Sequence, residues 1–372
     1  MKFTVASNEL LKHLQIANGA IAPNPILPIL EDFLFTLNKN KLTICSTDLE
    51  VSIIASLEVS SEDSGRVAIP AKMLTETVKA LPQQPITISI NADYGVEITS
   101  AFGKYKLAGE NGDDFPLTPE DENSEAIKLP GHIAAQGISK TLFATSNDDL
   151  RLAMTGVYFL LENESLTFVS TDAHKLVRYT FKNIKGIEKS GTNFIIPKKA
   201  LNLLKNALPS GEIVELHYNK TNAFFSFKDT RLICRLVDAR YPDYNAVIPV
   251  ESTRRLTISR QEFLNSLRRI AIYANKSTNQ VVLNLSEKSL TISAQDLDFS
   301  NEATEQMNCI YEGEAMIIGF NAKFLVEMLN VMEGDEIYLE LSTPSRAGIL
   351  RQVNPVEGED ILMLVMPVIL SN

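Results

Sequence analysis

Cysteine and histidine are scarce in this chain of 372 residues, and long apolar runs are missing. The three cysteines, Cys45, Cys234 and Cys309, stand alone within strand-like runs. An odd count without close spacing is typical of reduced structural thiols. No apolar run reaches the roughly 18 residues that a membrane-spanning helix needs, and Met1–Thr4 has the pattern of a strand rather than of a secretion signal. We therefore expect a cytoplasmic protein.

The motifs that mark common catalytic and metal sites are also missing. HExxH, CxxC, GxSxG and the Rossmann glycine pattern do not occur. The histidines at positions 13, 132, 174 and 217 have no metal-ligand spacing. The sequence therefore predicts no metal site, no cofactor and no catalytic residues.

A ten-residue phrase occurs three times at one fixed interval. It reads KLTICSTDLE from residue 41, SLTFVSTDAH from residue 165 and SLTISAQDLD from residue 289. The interval is much longer than the roughly 20–50 residues of a solenoid repeat, so each copy is a whole domain. The sequence predicts three tandem domains, with boundaries at 1–123, 124–252 and 253–372.

Each copy repeats the same order of patterns. One amphipathic stretch opens the copy, and a second follows a short apolar run and a Pro or Gly break; these six predicted helices cover 8–17, 72–81, 133–145, 198–208, 260–274 and 322–332. Between them the chain alternates in strand fashion with Asn, Gly and Lys turns. The fold class predicted is α+β, with two helices and roughly eight short strands per domain.

Charge is distributed unevenly between these patterns. The net charge is −11, yet the predicted helical stretches, together with Lys276 and Glu333 just beyond two of their ends, hold twelve basic residues against five acidic ones. Helix propensity does not explain this excess, because Glu is as good a helix former as Lys. If the helices share one face, that face can neutralise phosphates while the acidic remainder repels them. Binding to DNA would then be salt-dependent and independent of base sequence.

The Asp of the repeated phrase can be interpreted either as a catalytic acid or as a turn residue. Asp172 and His174 resemble an acid/base pair, but Asp48 and Asp296 occupy the same place in the other copies. We therefore predict that this Asp is a strand-end turn residue that accepts hydrogen bonds from backbone N–H groups.

The chain ends in an apolar run, residues 362–370, which fits a core strand for most of its length. Beyond Pro367 it cannot continue a central strand and would suit a surface groove for a partner's apolar peptide.

Six phrases resemble those of the bacterial DNA polymerase III beta subunits, the sliding clamps. They are LPIL (27–30), STDLE (46–50), STDAHKL (170–176), ARYPDY (239–244), IGFNAKFL (318–325) and VMP (365–367). The resemblance covers the whole chain. It implies three clamp domains, each with two helices and two antiparallel four-stranded sheets, and a head-to-tail ring of two chains whose helices line the hole.

The resemblance also implies a function. The protein would be a non-catalytic processivity factor that encircles double-stranded DNA without reading its sequence. It would hold the replicative polymerase, the clamp loader and repair proteins through short hydrophobic motifs. The candidate DNA contacts are Lys72, Lys79, Arg151, Lys198, Lys199, Lys205, Arg240 and Arg268.

Two more residue sets are carried over by motif. The expected dimer interface comprises Lys104, Tyr105, Lys106, Leu107, Ile272, Tyr273, Asp298, Glu302 and Glu305. The expected partner-peptide pocket comprises Met154, Thr171, Ala173, His174, Lys175, Leu176, Pro242, Val247, Asn321, Phe324, Val365, Met366, Pro367, Val368 and Leu370. Ala173 stands where the family commonly has Gly. Ala246 and Ile369 stand where basic residues are common, so the rim of this pocket is less cationic.

Two other classes of function stay open at this point. One is an interaction scaffold of three domains that never encircles DNA. The other is a hydrolase that uses Asp172 and His174.

Overall fold

The computed structural model describes residues 1–185, 187, 191–208 and 211–370. The first copy contains α1 (Ser7–Ala17) and α2 (Ala71–Ala80), with strands β1 (Lys2–Ala6), β2 (Asp32–Asn38), β3 (Lys41–Thr47), β4 (Val51–Glu58), β5 (Ser64–Pro70), β6 (Pro85–Ile90), β7 (Gly95–Thr99), β8 (Lys104–Ala108) and β9 (Glu110–Asn111). The second copy contains α3 (Gly131–Thr141) and α4 (Lys198–Ala207), with β10 (Glu125–Pro130), β11 (Gly156–Glu162), β12 (Ser165–Thr171), β13 (Lys175–Lys182), β14 (Thr192–Pro197), β15 (Ile213–Tyr218), β16 (Asn222–Phe227) and β17 (Thr230–Arg235). The third contains α5 (Arg260–Ile270) and α6 (Ala322–Val331), with β18 (Arg254–Ser259), β19 (Gln280–Ser286), β20 (Ser289–Asp296), β21 (Asn301–Asn308), β22 (Ile310–Glu312), β23 (Met316–Asn321), β24 (Glu336–Leu341), β25 (Gly348–Gln352), β26 (Glu359–Val365) and β27 (Pro367–Val368).

The six predicted helices are confirmed, but two of them are shorter than predicted because the chain continues as a 3₁₀ turn. The patterns predicted helix through residues 145 and 274, but α3 and α5 end earlier. Each is followed by one 3₁₀ turn, Leu142–Ala144 and Ala271–Tyr273. Asn18–Ala20 forms the same turn after α1. In the described part of the chain, none of the helices is both long and apolar enough to cross a membrane.

Each copy supplies two antiparallel layers of four strands, and several layers are joined edge to edge. The sheet orders are β1-β6-β7-β8, β10-β15-β16-β17-β4-β3-β2-β5-β9, β14-β11-β12-β13-β26-β25-β24-β18-β22 and β21-β20-β19-β23-β27. Thus β17 pairs with β4, and β26 pairs with β13. The two nine-stranded sheets are therefore fusions of the four-stranded layers of neighbouring copies.

The two fusions use the same register. Ser52 on β4 lies opposite Ile233 on β17. Leu176 on β13, which is the repeat counterpart of Ser52, lies opposite Leu364 on β26. One pairing rule therefore joins the first copy to the second and the second to the third.

The chain divides into two compact units. One contains Met1–Ala135 with Lys199–Leu236, and the other contains Gln136–Lys198 with Val237–Asn372. In the first unit Phe3, Leu10, Phe33, Phe35 and Leu74 are at most 1% exposed and pack in one core. Burial of each of these large side chains stabilises the folded state by about 1.5–3 kcal/mol relative to leaving the side chain exposed.

The repeated phrase forms β3, β12 and β20, and its Asp closes the following turn. Asp48 Oδ1 accepts the N–H groups of Glu50 and Val51 at 3.0 and 2.7 Å. Asp172 Oδ1 accepts those of His174 and Lys175, both at 2.9 Å. The prediction of a strand-end turn residue is confirmed.

Candidate functional site

In the second unit the end of β26 lies beside the start of β13. We call the surface formed by His174, Phe324 and residues 366–370 the C-terminal groove. Lys175 lies opposite Val365 in the ladder, and Met366 N donates to His174 O at 2.8 Å. The chain leaves this sheet after Val365, and β27, which begins at Pro367, pairs with β23 of another sheet. The expectation that the chain end leaves the central strand at Pro367 is confirmed.

Lys175 lies under this groove as a buried cation. Its side chain is 6% exposed, and its Nζ lies 2.6 Å from Glu327 Oε2 and 3.5 Å from Asp172 Oδ2. The same Nζ is 4.6 Å from the centre of the Phe324 ring and 5.7 Å from that of Phe143. A buried ammonium is tolerated because carboxylates and ring faces replace its water.

The wall above Lys175 is aromatic and apolar. The rings of His174 and Phe324 stack with centroids 6.2 Å apart and an angle of 22°. Leu370 packs over Gly319, where an added Cβ would lie 2.7 Å from Leu370 Cδ2. Gly319 therefore lets the chain end approach β23 closely.

The loop after β17 forms another part of the wall. Tyr241 is buried, stacks on Tyr158 at 4.7 Å and donates from its hydroxyl to Val169 O at 3.3 Å. Burial raises the pKa of the Tyr241 hydroxyl. This anchor holds the neighbouring Pro242 half-buried, while Val247 is 55% exposed.

The predicted pocket residues divide by exposure. Thr171, Lys175, Leu176 and Val365 are buried beneath the surface; Ala173, His174, Val247 and Met366 are exposed; and Met154, Pro242, Asn321, Phe324, Pro367, Val368 and Leu370 are intermediate. Asn321 also caps α6, since its side chain accepts from Lys323 N at 2.9 Å. Ala173 has a φ of +76°, a backbone region that glycine enters without strain.

A polar cleft of about 440 Å³ adjoins the C-terminal groove at His174 and Lys175. Phe143, Arg151, Lys198 and Glu327 contribute to its lining. The sequence analysis missed Phe143 and Glu327 as site residues. The spacing of Phe324 and Glu327, three residues apart on α6, is a signal that both side chains lie on one helix face.

The predicted DNA contacts are surface cations on helices and loops. Lys198 is half-buried, and the other seven (Lys72, Lys79, Arg151, Lys199, Lys205, Arg240 and Arg268) are exposed. Several already have polar neighbours. Lys199 forms an ion pair with Asp48, Arg151 Nε lies 3.4 Å from Asp148 Oδ2, and Lys198 Nζ donates to Asn147 Oδ1 at 2.9 Å.

One basic helix residue is not on the surface. Lys140 on α3 is 5% exposed, and its Nζ lies 3.1 Å from Tyr179 Oη, 3.2 Å from Glu333 Oε1 and 3.8 Å from Glu359 Oε2. Although Lys140 counts among the basic residues of the helices, its charge is paired inside the second unit and does not add to the exposed cations.

The predicted interface residues lie on or near two outer strands, except for Ile272 and Tyr273, which lie in the 3₁₀ turn after α5. β8, with Lys104–Leu107, ends the four-stranded sheet, and β21 ends the five-stranded sheet. Lys104 Nζ lies 2.9 Å from Glu97 Oε1, and this contact lowers the pKa of Glu97. Ile272 and Tyr273 are 66% and 43% exposed.

Glu305 differs from the other predicted interface acids. Asp298 and Glu302 are exposed near or on the β21 edge. Glu305 accepts two hydrogen bonds from Arg269, at 2.7 and 2.6 Å, and this pairing lowers its pKa. Its charge is therefore largely used within the chain.

Cys45 and Cys234 are buried, and Cys309 is half-buried. Burial raises the pKa of Cys45 and Cys234 to about 12, so both thiols stay protonated. In that part of the chain, no group of three or more His, Cys, Asp or Glu side chains is placed to hold a metal ion.

Three copies of one two-helix, two-sheet domain, joined through their sheet edges, define a clamp-fold protein. Family models for the DNA polymerase III beta subunit match along the chain: the N-terminal domain over residues 1–119, the central domain over 128–243 and the C-terminal domain over 245–368. The chain therefore belongs to the DNA polymerase III beta subunit family.

Individual relatives match over the full length. A beta sliding clamp of Synechocystis is 30% identical, with 100% of each chain covered. The crystal structure of the DNA polymerase sliding clamp from Bacillus subtilis aligns with a TM-score of 0.95 at 27% identity and covers 100% of both chains. The DNA polymerase III beta subunit structure from Thermotoga maritima aligns with a TM-score of 0.90 at 26% identity, again over 100% of both.

Proposed function

We propose that this protein is a sliding clamp, a non-catalytic processivity factor of a replicative DNA polymerase. Two chains would form a closed ring around double-stranded DNA in the cytoplasm. Membership of the beta subunit family supports this function. The domains we propose are 1–123, 124–252 and 253–372.

The proposal of a ring rests on two sheet edges that have no partner strand in the described part of the chain. Within the chain, an edge of one copy pairs with an edge of the next by a single register rule. Only the first copy's β8 and the third copy's β21 hold the corresponding positions without a partner strand in the described chain. Two chains that pair β8 with β21 twice, head to tail, satisfy both edges and close the assembly.

The register of this contact between chains follows from the register within the chain. Ser52, Leu176 and Glu302 each lie opposite the equivalent position of the preceding strand, namely Thr47, Thr171 and Gln295. Lys106 on β8 is the repeat counterpart of Ile233 on β17 and of Leu364 on β26. Each of the three lies opposite the equivalent residue of the neighbouring strand in its own sheet. If the contact between chains follows the same rule, Lys106 would lie opposite Glu302 of the second chain, as a pair of opposite charges.

Tyr105, Leu107, Ile272 and Tyr273 would supply the apolar part of this interface. Exposed ion pairs contribute only about 0–1 kcal/mol each, so burial of these side chains would dominate the affinity. Lys104 and Lys106 on one edge and Asp298, Glu302 and Glu305 on the other would fix orientation and register.

DNA contact would be electrostatic and mobile. We assign it to Lys72, Lys79, Arg151, Lys198, Lys199, Lys205, Arg240 and Arg268. Long side chains that can move between phosphates let the ring slide, whereas a tight contact would act as a brake. Each phosphate neutralised contributes about 0.9 to the salt slope of binding.

The C-terminal groove would hold partner proteins. The walls of His174, Phe324, Met366 and Leu370 offer apolar surface with few polar groups, which suits a short Leu- or Phe-bearing segment. The polymerase, the clamp loader and repair proteins would present such segments in turn. Hydrolysis by Asp172 and His174 is a poorer proposal, because Asp172 Oδ1 is used by two backbone N–H groups.

Retention on DNA tests the function. The protein is loaded by its cognate loader onto a nicked circular plasmid, which is then cut once. Protein that stays on circles and leaves linear DNA is topologically linked, as a clamp must be. Equal retention on both forms would mean ordinary affinity. Absence from both, with a loader that loads a reference clamp, would favour a scaffold that never encircles DNA.

A further inference from the structure

A second cavity lies in the first unit, whereas the C-terminal groove lies in the second. Its volume is about 340 Å³, and it is bounded by α1, α4, β4, β16 and β17. The apolar lining includes Ile16, Ile53, Leu203, Phe227 and Leu232. This volume is at the lower end of the range of about 300–1,000 Å³ for small-molecule sites.

The cavity exists at Gly19 because this residue has no side chain. A Cβ there would lie 2.7 Å from Leu203 Cδ2 and 3.2 Å from Ile53 Cδ1, so both leucine and isoleucine would have to move. The repeat counterpart of Gly19 in the second copy is Phe143, in the same 3₁₀ turn after the helix. The first copy therefore lacks the benzyl group that the second copy carries at this position.

Part of the cavity lining is polar and includes one available cation. The polar lining residues are Lys12, Gln15 and Asn206, which are exposed, and Thr230, which is buried. Lys12 is exposed, and no residue in the described ranges forms an ion pair with it. An apolar interior with a single cation at the mouth favours a ligand that has an apolar body and an anionic end.

We propose that this cavity binds a small aryl carboxylate, with its ring against Ile53, Leu203 and Phe227 and its carboxylate at Lys12. An aromatic ring suits the apolar part of the lining, because its burial removes apolar surface from water. The ring fills the space that the Phe143 side chain occupies in the repeat, and the Lys12 ammonium pairs with the charge that remains at the mouth. The site is separate from the C-terminal groove and does not depend on the proposed clamp function.

The test uses 3-phenylpropanoate with the full chain, followed by calorimetry and by NMR of methyl groups. Saturable binding is expected, with shifts of the Ile53 and Leu203 methyls. Gly19→Phe restores the side chain of the second copy and should weaken binding at least tenfold. Gly19→Ala keeps a smaller cavity and should weaken it less, which guards against a variant that fails to fold.

A neutral analogue separates the two halves of the site. Lys12→Gln should weaken binding of 3-phenylpropanoate but leave that of 3-phenylpropan-1-ol unchanged, and Lys323→Gln on α6 serves as the matched control. Absence of saturable binding would overturn the proposal. So would binding that Gly19→Phe leaves intact and that a Leu/Phe-bearing peptide displaces, because the probe would then occupy the C-terminal groove.

Discussion

The ammonium group of Lys175 lies 2.6 Å from the carboxylate of Glu327. The contact joins β13 of the second copy to α6 of the third, beneath the stacked rings of His174 and Phe324. Lys175 is buried, whereas the Glu327 side chain is 44% exposed. The pair therefore supports the C-terminal groove from below while one partner keeps contact with water.

Replacing this buried cation should loosen the groove. We expect Lys175→Met to lower the free energy of unfolding by about 1–2 kcal/mol, less than the about 3–5 kcal/mol for breaking a fully buried pair, because Glu327 can be hydrated. Affinity for a Leu/Phe-bearing peptide should fall about tenfold, since Phe324 loses its cation contact. Thermal melts and peptide titrations measure both, with exposed Lys323→Met as the control. Unchanged peptide affinity would contradict a supporting role for Lys175.

The proposed register between chains can be tested by exchanging charges. Lys106→Glu should weaken the dimer, because it places two carboxylates opposite each other at both junctions of the ring. Glu302→Lys should do the same, and the double variant should recover most of the affinity. Sedimentation equilibrium gives the dimer constant, with Lys39→Glu in an exposed turn as a control. The variant Ile272→Ala with Tyr273→Ala provides a monomer reference.

Recovery in the double variant is the informative result for that register. If Lys106→Glu and Glu302→Lys weaken the dimer independently and the double variant is worse than either, the two residues do not face each other. If none of these three variants changes the dimer constant, the interface lies elsewhere.

The ion pair between Asp48 and Lys199 competes with DNA for the same cation. Asp48→Asn keeps the Oδ1 acceptor for Glu50 and Val51 but removes the charge, so Lys199 becomes free to meet a phosphate. The slope of log affinity against log salt should become steeper by about 0.9 for one added phosphate contact. Anisotropy of labelled duplex across a salt series measures it. Lys199→Gln should make the slope shallower, and Lys128→Gln on β10 should leave it unchanged; equal slopes for all three would remove Lys199 from the DNA surface.

A buried carboxyl group makes stability depend on pH. Asp32 is 6% exposed, and burial, together with the charges of Glu110 and Glu31, raises its pKa from 3.8 to about 7. Since the folded chain holds this proton more tightly than the unfolded chain, the contribution to stability is full below about pH 3.8 and is lost as the pH rises through 7.

Asp32→Asn should remove this dependence. Relative to the natural chain, we expect the variant to gain about 2–4 kcal/mol of stability between pH 4 and pH 8, given about 1.4 kcal/mol per pKa unit. Denaturant titrations at pH 5, 6 and 8 follow the change. Asp93→Asn, in an exposed turn, should shift stability equally at each pH; the same flat response from Asp32→Asn would mean that Asp32 titrates normally.

Local patterns and the internal repeat predicted much of this structure. Apolar spacing located the helices, and comparison of Asp48 with Asp172 identified a turn residue instead of a catalytic acid. The sequence could not reveal that β17 joins β4, because that pairing brings together residues 175 to 183 positions apart. For the same reason the sequence could not show that Lys140 is buried, because its partners Glu333 and Glu359 are contributed by a distant part of the chain.

The threefold repeat has a consequence for how this sequence can evolve. If each domain were a separate identical chain, every substitution would appear in all of them at once. Here the duplicated positions have diverged singly: Gly19, Phe143 and Ile272 occupy one place in three copies and meet an open cavity, a buried lysine and solvent. The same place on the repeated domain thus has three different surroundings, and a substitution in one copy leaves the other two copies unchanged.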